Sequence, residues 1–369
     1  VTEQSNPRRA VSDRKGWTVL LIAIIAVVLI GGGTVGIAYF NGAFSSSPPP
    51  TPTPEPVETT PTPSPTPTPK PTWPLTGVTG DVVQRPALVV KVENSSEARP
   101  QEGLDSADIV FEEMVEGGIA RYIAIFHSSV PPQVAPLRSV RPMDGPIAGW
   151  TNGVLAFSGG QTPFIDRAQA DGLQILSMDA GADGFSRVKN RPSPHDVAGD
   201  TAAFLAQADA NHQASPVPFC SFDTTGQGGT AQRLGAASST VSVTISPIAT
   251  PVWTWDGGSG LWLRAEGSMP AMAESGAQLS ATNLLVLGVD VVTLPGMDAA
   301  GTHIPESIVV GQGTGLLASG GMTTPITWQK DSETSTWQFI DSTGAPVVLS
   351  PGNTWVELVP NGSGSWSAA

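Results

Sequence analysis

From Pro48 to Thr72 the sequence reads PPPTPTPEPVETTPTPSPTPTPKPT, with a proline at nearly every second position and Val57 as its one apolar side chain. No core can form from such a run. It favours extended polyproline II geometry, so its 25 residues reach at most roughly 78 Å at about 3.1 Å each. The tract therefore acts as a stiff spacer and divides the chain into two parts that must be read separately. Its Thr and Ser residues are candidate O-glycosylation positions in an exported protein.

The part before the spacer carries a membrane signal. Residues 1–16 form a basic stub with Arg8, Arg9, Arg14 and Lys15, and no charge occurs between Gly16 and Glu55. Val19–Ile30 is VLLIAIIAVVLI. Taken as helix, Thr18–Phe40 spans roughly 34 Å, enough for a hydrocarbon core of about 30 Å. Residues 17–40 are thus expected to form a single transmembrane helix contacting the membrane, with Trp17, Tyr39 and Phe40 at its interfaces. The positive-inside rule puts the stub in the cytoplasm and the rest outside, giving a single-pass plasma-membrane protein. A cleaved signal peptide with a small-residue site near Ala38 is the competing reading. A lipoprotein would need a cysteine just after the apolar run, and Cys220, the one cysteine in the chain, comes far too late.

After the linker (41–72) the composition becomes globular. From Trp73 onward 13 Lys+Arg face 28 Asp+Glu, a formal charge of −15 against −14 for the whole chain. An acidic body repels polyphosphate, so no nucleic-acid partner is expected. With a single cysteine and no H-x-x-x-H spacing among His127, His195, His212 and His303, neither a metal site nor a cofactor is expected.

Residues 73–215 alternate strand-like runs (Ala87–Glu93, Asp108–Met114, Ile119–His127, Val154–Ser158) with helix candidates at Met143–Asn152, Thr162–Ala170 and Asp200–His212. That predicts an α/β domain. Residues 216–369 read as a mostly antiparallel β domain of short strands, from Val241–Ser246 to Thr354–Val359. Asp256-Gly257-Gly258-Ser259-Gly260, between Trp253/Trp255 and Trp262, is a hairpin signal. Gly311-Gln312-Gly313-Thr314-Gly315 reads as a β-turn or bulge.

Ten of the 13 ectodomain cations lie between Arg85 and Arg191, many of them in compact motifs. Arg99, Arg121, Arg138, Arg141, Arg187 and Arg191, with Gly159, Gly160 and His195, form a candidate site for a carboxylate or phosphate, since guanidinium groups beside glycine turns bind such groups bidentately. The alternative is that these arginines pair with Asp105, Asp108, Glu112, Glu113 and Glu116 in structural ion pairs. His195, after two prolines and before Asp196, is the candidate acid/base, with Asp196 or a nearby carboxylate orienting it. No G-x-S-x-G elbow accompanies it. The tryptophans at 253, 255, 262, 328, 337 and 355 supply either a sugar-stacking platform or core.

The motifs RPQEGLDSADIVFEEMVEGGIARYIAIFHS, PLRSVRP, SGG and SRVKNRPSPHD, with TWQKDSETSTWQFIDSTGAPVVLSPGNTWVELVP near the C-terminus, resemble the YerB-like family of bacterial exported lipoproteins over about residues 74–360. Two departures stand out: the lipobox cysteine common in that family is absent, and Asp196 stands where the family typically has Asn. The resemblance implies a membrane-tethered extracytoplasmic envelope protein built from two domains of unknown function. Three roles follow as expectations. The first is a binding module for an anionic cell-envelope ligand or a cell-wall assembly partner. The second is a wall glycan or peptide enzyme using His195, and the third is a scaffold that docks a membrane enzyme through exposed tryptophans.

Overall fold

The runs ALVVKVE, DIVFEEM and IARYIAIFH are apolar at nearly every position, which suits strands covered on both faces. In the computed structural model they lie side by side in the middle of a large sheet. The structure describes residues 70–298 and 300–369, all within the compact unit Pro67–Ala369. The basic stub, the expected transmembrane segment 17–40 and linker residues 41–69 lie outside the described residues. Among the described residues no helix is long and apolar enough to cross a membrane.

Thirteen strands and three helices carry the argument: β1 (Leu88–Glu93), β2 (Ile109–Met114), β3 (Ala120–Phe126), α1 (Asp144–Ala148), β4 (Val154–Phe157), α2 (Thr162–Ala170), β5 (Gln174–Ser177), α3 (Thr201–Ala206), β6 (Thr240–Thr244), β7 (Pro251–Asp256), β8 (Leu261–Glu266), β9 (Asn283–Met297), β10 (Gly311–Ser319), β11 (Met322–Lys330), β12 (Thr354–Pro360) and β13 (Ser365–Ala368). The large sheet runs β11-β10-β9-β12-β2-β3-β1-β4-β5. Its pairings are mixed: β9–β12, β12–β2, β1–β4 and β4–β5 are parallel, the others antiparallel. A second, antiparallel sheet orders β8-β7-β6-β13.

β12 decides the architecture. It is buried at every residue, and it pairs on one side with β9 and on the other with β2. Strands from both sides of the 215/216 boundary are therefore hydrogen-bonded into one sheet.

The pleat sorts the side chains. Leu88, Val90, Val110, Tyr122, Ala124, Phe126, Leu284, Val286 and Trp355 pack towards the second sheet, against Val241, Val243, Trp253 and Trp262. Val89, Phe111, Ile123, Ile125, Leu285, Val356 and Leu358 pack on the other face, against Ile147, Trp150, Ala168, Phe219, Trp337 and Phe339.

Most predicted strands form within a residue or two of their expected ends, and the hairpin at Asp256–Gly260 closes as expected, Asp256 accepting from the Gly258 and Ser259 amides at 3.2 and 3.0 Å. The α/β expectation for 73–215 needs correction: the body is β-rich with few helices. α2 forms at its expected bounds with Pro at its start, but the helix expected over Asp200–His212 ends at Ala206. Asp200 caps it by accepting from Ala203 N at 3.0 Å; beyond it, Asp209 binds its own Asn211 amide and His212 ring at 2.8 Å each, which turns the chain. Gly311–Gly315 is neither turn nor bulge but part of β10. A Cβ on Gly313 would lie 2.5 Å from Trp328 Nε1, and that indole donates to Gly288 O at 3.0 Å. The glycine leaves room for the indole to reach that carbonyl.

Of the two readings of the tryptophans, core holds and the platform does not: Trp253, Trp262, Trp328, Trp337 and Trp355 are buried and Trp255 is half-buried. Docking through exposed tryptophans among these has no surface to use.

Between the sheets sits Arg264, fully buried. Register places Glu112 beside Glu357, and Arg264 reaches Glu112 at 2.8 Å, Glu266 at 2.9 Å and Glu357 at 3.6 Å. Its guanidinium lies 5.2–5.6 Å from the rings of Trp355, Tyr122 and Trp253. Burial and the neighbouring carboxylates hold Glu112 well above the usual carboxylate range.

Removing one partner of a buried ionic cluster costs about 3–5 kcal/mol. Arg264→Met should lose stability on that scale in urea titration, and adding Glu112→Gln and Glu357→Gln should recover more than half. A loss below about 1 kcal/mol for the single variant would show that the cluster does not hold the sheets together. A second expectation concerns His127, fully buried, whose ring burial pushes down to about 4. A histidine depressed on folding stabilises above its unfolded value near 6.5 and loses that contribution as pH falls through about 4. The acid limb of the stability–pH curve should flatten in His127→Gln; an unchanged limb would remove His127 as its cause.

Candidate functional site

The candidate site forms where β1 ends and β3 begins. Register sets Glu93 opposite Arg121, and Arg121 opposite Glu113, all on the face away from the second sheet. The PLRSVRP segment is stitched beside them: Glu93 N donates to Pro136 O at 3.0 Å, Arg138 N to Lys91 O at 2.9 Å, Ser158 N to Arg138 O at 3.1 Å and Val140 N to Gly159 O at 2.9 Å. That extended run between β1 and β4 brings Arg138 and Arg141 to Arg121.

Glu93 is the hub. It is 3% exposed. Arg138 Nε lies 3.2 Å from its Oε1, His195 Nδ1 lies 2.8 Å from its Oε2 and Ser95 Oγ donates at 3.2 Å. Arg141 pairs with Glu116 at 2.6 Å and its amide donates to Asp144 Oδ2 at 2.7 Å. Lys91 contacts Glu113 and reaches Asp144 at 2.8 Å. Lys91, Glu113 and Asp144 thus engage one another, leaving three guanidiniums to share Glu93 and Glu116.

Arg121 carries the imbalance. It is 7% exposed, its NH1 donates to Ser139 O at 3.1 Å, and its Nε is buried without a hydrogen-bond partner. Burial, with the like charges of Arg141 and Arg138, pushes it down to about 10. An anion placed here would relieve both the like-charge repulsion and the orphaned donor.

The other predicted residues are engaged elsewhere. Arg99 binds Asn94 at 2.9 Å and Glu266 at 3.3 Å, beside the Arg264 cluster. Arg187, half exposed, pairs with Asp196 at 2.6 Å, and Arg191 donates to Ala98 O at 2.6 Å and pairs with Glu274 at 3.5 Å. Gly159 and Gly160 serve close packing: a Cβ would lie 2.0 Å from Asp179 Oδ2 at the first and 2.4 Å from Val140 Cγ1 at the second. The structural ion pairs foreseen as the alternative do form, largely with different partners: Glu93, Asp196, Glu266 and Glu274, with Glu116 alone foreseen.

Asp196 does not orient His195. Its carboxylate is turned to Arg187, and Glu93 holds the imidazole instead. Ser95 lies 3.5 Å from the same ring nitrogen as Glu93. A nucleophile–base–acid relay needs the hydroxyl and the carboxylate on opposite nitrogens, so this geometry is no serine triad. Burial pushes the Cys220 thiol up to about 12, which keeps it protonated near neutrality. Glu93 went unnoticed in the sequence because it closes an apolar strand run, where a charge reads as a solvated strand end.

Residues 75–214 match the family model described as Protein of unknown function (DUF3048) N-terminal domain, and residues 241–356 match its C-terminal domain. The chain is 35% identical over 127 residues to the putative lipoprotein YerB of Bacillus subtilis (strain 168), covering 33% of this chain and 38% of that protein. It therefore spans well under two thirds of that relative in sequence alignment. The crystal structure of YerB protein from Bacillus subtilis superposes with a TM-score of 0.68 at 22% identity, covering 81% of this chain and 100% of that one; at this identity the likeness speaks for the fold. The resemblance read from the motifs is borne out.

Since Glu93 is itself buried and holds two partly buried partners, Glu93→Gln should cost about 2–3 kcal/mol, whereas Asp196→Asn, facing a half-exposed arginine, should cost less than about 1 kcal/mol. Chemical denaturation of both variants checks the order; the reverse order would displace Glu93 as the hub.

Proposed function

The chain belongs to the two-part DUF3048 family, and from that premise we propose that it is a membrane-tethered, extracytoplasmic binding module of the cell envelope. Its Arg121–Arg138–Arg141 cluster, edged by His195, takes a phosphate or carboxylate group of an envelope component. The location is supported by the order of basic stub, apolar run and Pro/Thr spacer in the sequence, and by the putative-lipoprotein description of the relative. The ligand chemistry rests on one observation above all: three guanidiniums share two carboxylates, and Arg121 Nε is buried without a partner.

A second reading, an enzyme acting on wall glycan or peptide with His195 as base, draws on Glu93 fixing Nδ1 at 2.8 Å. It lacks a nucleophile: among the described residues no hydroxyl or thiol hydrogen-bonds Nε2. The binding reading needs no such group.

Calorimetric titration of the 369-residue chain with poly(glycerol phosphate) and with poly-glutamate separates phosphate from carboxylate recognition. Saturable binding of one polymer should weaken at least tenfold in Arg138→Gln, which leaves the buried Arg121 and Arg141 in place, and stay unchanged in Arg187→Gln. Equal binding by Arg138→Gln and the parent, or no binding of either polymer, would overturn the assignment. Turnover of a wall fragment that disappears in His195→Gln would favour the enzyme.

A further inference from the structure

On the face of the large sheet that carries the helices, a cleft of about 440 Å³ opens between α2 and the segment Glu306–Val310, within the roughly 300–1,000 Å³ range of small-ligand sites. Its polar walls are Arg167, Asp171, Glu306, Ser307 and Glu333; Pro146, Ala170 and Val309 make an apolar side. The cations at this cleft are fully engaged. Arg167 donates to Glu306 at 2.6 Å and to Glu333 at 2.6 and 3.2 Å. Lys330, behind the Ser332–Thr334 wall, donates to the carbonyls of Ser332 and Glu333 at 2.8 and 2.9 Å.

What is left is unmatched oxygen. Asp171 is 3% exposed and Ser307 2% exposed, and both Asp171 Oδ2 and Ser307 Oγ are buried without a hydrogen-bond partner. Such groups cost about 1–3 kcal/mol each when left unmatched. Asp171 is seated deliberately: a Cβ on Gly145 would stand 2.4 Å from its Oδ2, so α1 admits the carboxylate only because that position is glycine. Burial and a hydrogen bond shared with Glu333 push Asp171 up to about 7, so its proton goes to Glu333 and Oδ2 is left as an acceptor.

We propose that this cleft binds a neutral, hydroxyl-rich ligand, a sugar ring or short oligosaccharide, whose hydroxyls bond Asp171 and Ser307 while a C–H face of the ring lies on Pro146 and Val309. Charge supports that class. With Asp171 raised, Glu306 and Glu333 meet two engaged cations, which leaves an anion no free positive charge, so this site is distinct in chemistry from the arginine cluster. The apolar wall gives a small ammonium ion nothing to pack against.

The test is calorimetric titration of the 369-residue chain with a panel of neutral disaccharides built from glucose, galactose and N-acetylglucosamine, with putrescine and inorganic phosphate as controls. At least one disaccharide should bind saturably. Ser307→Ala, which removes a single hydroxyl, and Asp171→Asn, which keeps the shape, should each weaken it at least tenfold, while Arg138→Gln binds it as the parent does. Thermal denaturation of each variant verifies that it is folded, and a folded Ser307→Ala suffices if Asp171→Asn is not. The proposal falls if no disaccharide binds, if putrescine or phosphate binds in preference, or if folded Ser307→Ala binds as tightly as the parent, in which case water alone satisfies the two oxygens.

Discussion

The structure depends on a single buried cation. Pairing β2 with β12 joins the two family-defined segments, and the register of that parallel pair sets Glu112 and Glu357 shoulder to shoulder on one face. Two carboxylates so placed in an apolar interior repel each other and resist ionisation. The second sheet supplies the remedy from β8: Arg264 enters between them, ringed by Tyr122, Trp253 and Trp355. Trp253 adds a hydrogen bond to Glu357 Oε1 at 2.8 Å. The same contact therefore fixes the register of the central strands and the position of the second sheet over them. A one-residue slip of β12 against β2 would turn Glu357 to the opposite face and take one carboxylate, with its bond to Trp253, away from Arg264.

The opposite face repeats the theme at the strand ends. Glu93, Arg121 and Glu113 are cross-strand neighbours by register, and the loops that cover this end of the sheet contribute Arg138, Arg141, Asp144 and His195. Near the sheet centre two carboxylates, Glu113 and Asp144, face the one cation Lys91. Towards the edge the excess has the other sign, since three guanidiniums meet two carboxylates. The candidate site is thus the outermost part of a structural network, with Arg138 at the rim more exposed than Arg121 or Arg141.

Strand positions were legible because β1, β3 and β9 are long apolar runs with sharp polar ends, and α2 because Pro163 opens a clear first turn. The joining of the two segments was not. Nothing local in TWVELVP says that it pairs with DIVFEEM, more than two hundred residues away. The arginines were legible as a cluster in sequence yet not in role, because partner choice depends on which strand lies beside which: Arg138 found Glu93 through a loop laid along β1, and Arg187 took the Asp196 that seemed destined for His195. The tryptophans stayed open between platform and core because alternation along β7 and β8 does not say which face is covered. The sugar-sized cleft was invisible for the same reason: Asp171, Ser307 and Glu333 come from three distant stretches, and each looks like an ordinary polar residue.

The charge asymmetry of the sequence takes on a physical meaning once the pairs are known. The cations gathered between Arg85 and Arg191 do not make a basic patch; Lys91, Arg121 and Arg141 are buried, and most of the others face a carboxylate. Seen from beyond a Debye length of about 8–10 Å, the folded body is an acidic object that slows the approach of any anion. Within that distance, a group reaching Arg138 meets the local excess of guanidinium. The long-range field and the short-range site oppose each other, and salt screens the first more than the second, because the buried part of the site is shielded from counterions. For a basic protein, added salt weakens an anion's binding. Here it also removes a barrier, so the two effects offset each other and recognition rests on the few contacts at the end of β1.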